Sequence, residues 1–169
     1  VLIALGGVDQ HNHTAKMLES LQHCALPQAI RFTVVLGAAA PNLESVRAIA
    51  VQCPWPVEVL AGISDMARRM AFADLAIGAA GGSSWERCCL GLPTLLVILA
   101  ENQRSAGLAL NTAKAALLID PAASIEVQLQ TAFNKMTDDS LRRAFCAAAG
   151  KVTDGRGVER VLLAMESSR

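Results

Sequence analysis

Short apolar runs alternate along the chain with longer stretches in which apolar side chains return every three or four positions. The runs at 1–5, 31–36, 57–60, 75–77, 94–99 and 116–119, "VLIAL" and "TLLVIL" among them, show no regular apolar–polar alternation. A strand with one face in water alternates and a strand covered on both faces does not, so these runs predict a parallel sheet between two helical layers. The intervening stretches predict helices near 13–24, 42–52, 65–72, 84–90 and 104–113, followed by two or three more near 123–135, 138–149 and 155–166. The repeated order of strand and helix, with no internal repeat or low-complexity tract, predicts one α/β domain over 1–169. Its expected form is a Rossmann-like, doubly wound parallel sheet of about six strands.

In such sheets ligands collect at the carboxyl ends of the strands, where strand order reverses. The loops that follow the first, third, fourth and fifth runs read "GGVDQHN", "AGISDM", "GAAGGSS" and "AENQ". The third of these opens the block "AAGGSSWERCCLGLP" at 79–93. Gly81 and Gly82 allow close backbone approach to a ligand, and Ser83 and Ser84 start a helix whose first N–H groups form an anion site. The spacing matches neither a P-loop nor a dinucleotide fingerprint. Ser83-x-x-Glu86 is also a capping box, in which the glutamate turns back to the serine amide. The two readings are compatible, and Glu86 separates them: turned back it is structural, facing a cleft it can accept both hydroxyls of a ribose.

In the first loop Gly6 and Gly7 make a tight turn, Asn12 is placed to cap the first helix, and Asp9 is placed either to fix the loop as an Asx-turn or to face a ligand. His11 and His13 are two apart and would lie on different faces of a helix, so they form no metal site. In "AENQ", Asn102 either caps the next helix or, with Gln103, presents amides that suit sugar hydroxyls and acetamido groups.

Composition narrows the classes. Of 169 residues, 53% are hydrophobic and only 4% aromatic, with alanine prominent, which suits helices packed closely on a sheet. The 15 basic and 15 acidic residues cancel and are mixed along the chain, so the basic stripe of a nucleic-acid binder is missing. The longest apolar run, 90–100, contains Pro93 and falls short of the roughly 18 residues of a membrane span. Cys24, Cys53, Cys88, Cys89 and Cys146 form no CxxC pair and read as reduced, buried thiols of a cytoplasmic protein. Val1 already lies inside the first apolar run, with no methionine or basic leader ahead of it, which predicts a piece of a longer protein.

Taken together, "LGGVDQHN", "ADLAIGAAGGSSWERCCLGLP", "ILAENQ" and "DGRGVERV" resemble the C-terminal domain of the pseudaminic-acid pathway nucleotide-sugar hydrolases. These enzymes split UDP-2,4-diacetamido-2,4,6-trideoxy-β-L-altropyranose into UDP and free sugar. They are similar in fold to MurG-like glycosyltransferases of the GT-B class, built from two Rossmann-like domains. The resemblance implies that Gly82, Ser83 and Ser84 hold the UDP diphosphate, Glu86 the ribose, and main-chain groups near Ile63 the uracil. Asn102, in a supporting catalytic role, and Gln103 would lie near the sugar, with Gly7, Asp9 and Asn12 facing the substrate from the first loop. The family's general-base histidine sits on an N-terminal domain that this chain lacks, and His11, His13 and His23 match nothing in its motif. The resemblance therefore implies a UDP-sugar partner, no metal and no cofactor, and a chain that is inactive alone. Micromolar affinity requires about 8 kcal/mol, more than a helix terminus and a few hydrogen bonds supply, so UDP is expected to bind this half in the high micromolar to millimolar range. A donor-binding half of a MurG-like glycosyltransferase and a non-catalytic nucleotide-sugar-binding domain are the competing readings.

Overall fold

Six parallel strands form a single sheet: β1 (Leu2–Ala4), β2 (Phe32–Leu36), β3 (Val57–Ala61), β4 (Ala76–Ala79), β5 (Thr94–Val97) and β6 (Ala116–Ile119). The computed structural model describes residues 1–120 and 123–167. Strand order is β3-β2-β1-β4-β5-β6. The chain therefore winds outward from β1 to β3, then crosses back to β4 on the other side of β1. That reversal puts the topological switch point between β1 and β4, which are paired through Leu2–Ala76, Ile3–Ile77 and Ala4–Gly78.

The helices are α1 (His13–Gln22), α2 (Leu43–Gln52), α3 (Met66–Phe72), α4 (Ser83–Cys89), α5 (Arg104–Thr112), α6 (Ile125–Thr137), α7 (Asp139–Gly150) and α8 (Gly157–Ser167), with a 3₁₀ turn at Glu101–Gln103 before α5. Each expected element is present, with ends moved by a few residues. The fifth strand stops at Val97 rather than residue 99, because Ile98 and Leu99 turn into the loop.

Neighbouring strand residues point to opposite faces, and both faces are covered. Ile3, Val34, Ile77 and Leu95 pack with Leu18 and Leu21 of α1, Val46 of α2 and Leu129 and Phe133 of α6. Their neighbours face the other way: Leu2, Val35 and Ala76 meet Met70 of α3, and Leu96 meets Cys88 of α4 and Leu110 of α5. Each such fully buried aliphatic side chain contributes about 1.5–3 kcal/mol relative to exposure. β3 departs from the expectation of burial on both faces. It is the sheet edge, its residues are only partly buried, and Glu58 reaches solvent to pair with Arg69. The cysteines are all free, but only Cys24 and Cys88 are buried, and Cys89 is exposed on the outer side of α4. α8 buries none of its residues and presents Val158, Val161, Leu162, Leu163 and Met165 outward.

Candidate functional site

The loops after β1 and β4 emerge side by side at the switch point, and the loops after β2 and β3 complete a cleft beside them. This cleft, about 270 Å³, is lined by Gly6, Gly7, Gly37, Gly62, Ile63, Met66, Met70 and Ser83 together with the ends of β1 and β2. It thus gathers Gly7, Ile63 and Ser83, three of the residues singled out from sequence. Glycine is required for this shape. A Cβ on Gly37 would stand 2.5 Å from the Gly7 carbonyl oxygen, which accepts the Gly37 amide at 2.7 Å. The walls are apolar, and Ser83 supplies the polar side chain. A larger depression of about 620 Å³ beside α3 holds Arg31, Arg68 and Arg69 with Asp65 and Asp74, and it lies at the β1 start, away from the loops that follow β1 and β4.

At the mouth of α4 the capping box does not form. Gly82 occupies the N-cap, and no side chain among the described residues accepts from the first helical amides. Glu86 is exposed and makes no bond to the Ser83 amide. The Ser84 and Trp85 amides turn back to the Gly81 and Gly82 carbonyls at 2.9 and 3.1 Å. The Gly82 and Ser83 amides find no acceptor among the described residues. The two serines differ: Ser83 reaches the cleft, whereas Ser84 is 2% exposed and donates its hydroxyl to the Ala79 carbonyl at 3.1 Å.

Behind both serines lies Arg87, 1% exposed, a residue that sequence reasoning missed. Its guanidinium donates to Ser83 Oγ at 3.0 Å, to Ser84 Oγ at 3.1 Å and to the Ala79 carbonyl at 2.8 Å. It rests on the bare backbone of β4, where a Cβ on Gly78 would come within 2.6 Å of it. No carboxylate among the described residues pairs with it, and its Nε has no partner. Burial pulls this guanidinium down to about 10, with Cys88 and Glu86 acting weakly the other way, so it stays protonated at neutral pH. Burying a cation without a counter-ion costs several kcal/mol, so this is the most electrostatically unbalanced point near the cleft.

The glycosyltransferase family 28 C-terminal domain matches residues 6–157. The chain belongs to that family. A curated relative, the spore coat polysaccharide biosynthesis protein SpsG of Bacillus subtilis (strain 168), is 29% identical over 171 residues, covering 95% of this chain and 48% of its own length. MurG of Acinetobacter baumannii superposes with a TM-score of 0.82 at 18% identity, over 98% of this chain and 49% of that one. The spinosyn rhamnosyltransferase SpnG, solved with thymidine diphosphate, gives 0.69 at 18% identity, over 90% and 40%. The fold is thus that of the C-terminal half of GT-B glycosyltransferases, and the chain spans about half the length of these relatives.

The remaining candidates of this family 28 domain sit around the cleft rather than in it. Asp9, 7% exposed, accepts the His13 and Thr14 amides at 2.8 Å each and so caps α1. Asn12, expected in that role, makes no cap bond; it takes a left-handed conformation and donates to Ser45 at 3.1 Å, while its Oδ1 is buried without a partner. His11 lies in the turn ahead of α1, so the helical spacing argument fails, and its ring meets that of His13 edge-on at 5.8 Å. Among the described residues no cluster of three or more His, Cys, Asp or Glu could hold a metal ion, and no helix is long and apolar enough to cross a membrane. Asn102 lies exposed in the 3₁₀ turn and does not cap α5. Gln103 accepts the Leu99 amide at 3.0 Å, and its Nε2 lies 3.7 Å from where a Gly81 Cβ would be. The "ENQ" turn and the "GGSS" loop are therefore neighbours, as a shared site requires.

Proposed function

We propose that this domain holds the nucleoside diphosphate portion of a UDP-sugar, with the base in the cleft beside Ile63 and the diphosphate at Gly82, Ser83 and Ser84. The single observation that carries the reading is the mouth of α4: two free amides and a buried cation, with no carboxylate among the described residues to satisfy them. Ser84 would serve through its position rather than its hydroxyl, which is already engaged. Glu86, free of the capping box, would accept the ribose hydroxyls, and Asn102 and Gln103 would meet the sugar opposite Gly7 and Asn12, while Asp9, its carboxylate spent on capping α1, would shape that loop.

The whole protein, on this reading, is a two-domain nucleotide-sugar hydrolase whose histidine base lies on the N-terminal domain. Water adds to the anomeric carbon, its proton goes to the base, and the bond to the phosphate oxygen breaks, with UDP taking the electron pair. The family match favours a second reading, the donor-binding half of a transferase, in which an acceptor hydroxyl replaces water. Both place identical demands on this chain. NMR titration with UDP tests the shared part: binding in the high micromolar to millimolar range is expected, weakened about tenfold by Glu86→Ala through loss of charge-assisted bonds, with stability unchanged. Unaltered UDP affinity in that variant would remove Glu86 from the site. Supplying the N-terminal domain, then assaying sugar release with and without an acceptor, separates hydrolase from transferase.

A further inference from the structure

We propose that Arg87 is a positioning residue for the diphosphate: it turns the Ser83 hydroxyl outward as a donor and stands behind it as the fixed positive charge. This rests on the nucleoside-diphosphate reading above. The argument follows the hydrogens. Arg87 has donors only, so each bond it makes to a serine oxygen uses up acceptor capacity there. Ser84 Oγ accepts from Arg87 and donates its hydrogen to the Ala79 carbonyl, so its donor is used. Ser83 Oγ accepts from Arg87 at 3.0 Å, and its own proton has no acceptor among the described residues. That proton is on the residue that lines the cleft. A donor polarised by a cation makes a stronger hydrogen bond to an anion than a neutral one does.

A buried charge is ordinarily paired with an opposite one. Here Glu86, next in sequence, is exposed, and Nε remains unpartnered. β4 carries a glycine at the point where the guanidinium rests, so the strand makes room for the charge rather than neutralising it. The inference stands on this buried side chain and its geometry, and it does not need the dipole of a helix only seven residues long.

The test compares UDP with uridine, which has the base and ribose but no phosphate, by NMR titration of the full chain, with thermal melts to monitor folding. Arg87→Met is expected to weaken UDP roughly tenfold or more while moving uridine less than about twofold. Ser83→Ala is expected to weaken UDP in the wild-type background and to cost little more when added to Arg87→Met, the coupling of two residues acting as one. Folded Arg87→Met that binds UDP as wild type does, or that loses UDP and uridine equally, overturns the assignment. If Arg87→Met does not fold, Arg87→Lys decides, since it keeps the cation and loses the fork. UDP should then fall about three- to fivefold with uridine unmoved, and equal loss of both, or of neither, overturns the proposal. Inorganic pyrophosphate separates the two readings. Arg87-dependent binding of pyrophosphate by a chain that ignores UDP would uphold Arg87 and sink the nucleotide reading, and binding of neither would sink both.

Discussion

The mouths of α1 and α4 are built alike and finished differently. Each follows a strand at the switch point, β1 or β4, and each is entered through a pair of glycines. At α1 the protein supplies its own anion. Asp9, held at a positive φ of 42°, places both oxygens on the first helical amides, and Asn42 locks its carbonyl at 2.9 Å. At α4 no side chain among the described residues caps the first amides, and the buried charge behind them is a cation. Glycine pairs between strand and helix therefore do not by themselves mark a ligand site. What separates the two ends is whether an acidic side chain stands where the amides converge.

The largest way to break the open mouth is from behind. Gly78→Ala puts a methyl group where the Arg87 guanidinium sits, within 2.6 Å. Displacing a buried cation held by three hydrogen bonds should cost about 2–3 kcal/mol, read as a lower urea midpoint with an unchanged slope, and UDP affinity should fall with it. Loss of stability with UDP binding intact would disconnect Arg87 from the site. At the closed mouth, Asp9→Ala should cost about 1–2 kcal/mol and speed hydrogen exchange at the His13 and Thr14 amides. Unchanged exchange there would mean the carboxylate is not the cap.

The contrast between the two ends was only partly legible in sequence. Apolar runs and their helical partners mark the six strands and the eight α-helices of the described residues; burial on both faces leaves a plain pattern in Leu95 and Leu96, whereas the partly buried edge strand β3 is found by its place between helices. Capping was harder to read. Asn12 directly precedes the helix, as a cap should, but its left-handed backbone turns its side chain away, and Asp9 reaches forward instead. Capping depends on backbone angles that composition does not encode. Arg87 escaped notice because an arginine beside a glutamate on a short helix reads as solvent-facing. The signal that could have found it is the pairing of Ser83, four residues back on the same helical face, with Gly78 in a strand of small residues that leaves room for a long side chain.

A sharper test makes the open mouth resemble the closed one. Gly82 has ordinary helical φ of −54° and nothing within 4 Å of a built Cβ, so Gly82→Asp introduces a carboxylate without strain. A negative charge at that end should stabilise the fold by about 0.3–1 kcal/mol. It should also compete with the diphosphate and weaken UDP about tenfold. A stabilised variant that still bound UDP normally would show that the anion site lies elsewhere.

The smallest effect lies at the closed mouth and concerns pH. Burial lowers the His13 pKa below its ordinary 6.5, Lys16 and His11 push the same way, and Asp9 opposes them. Folded His13 thus holds its proton less tightly than the unfolded chain does. Stability from this residue is present above the unfolded value and declines as pH falls through 6.5 toward the lowered folded value, then levels off. His13→Gln should flatten that decline in urea midpoints measured between about pH 7.5 and 5.5. Asp9→Ala should steepen it, because the carboxylate that opposes the shift is gone. A decline that Asp9→Ala leaves unchanged would mean that the cap and the imidazole do not share a field, and that the anion at α1 acts only on the backbone amides.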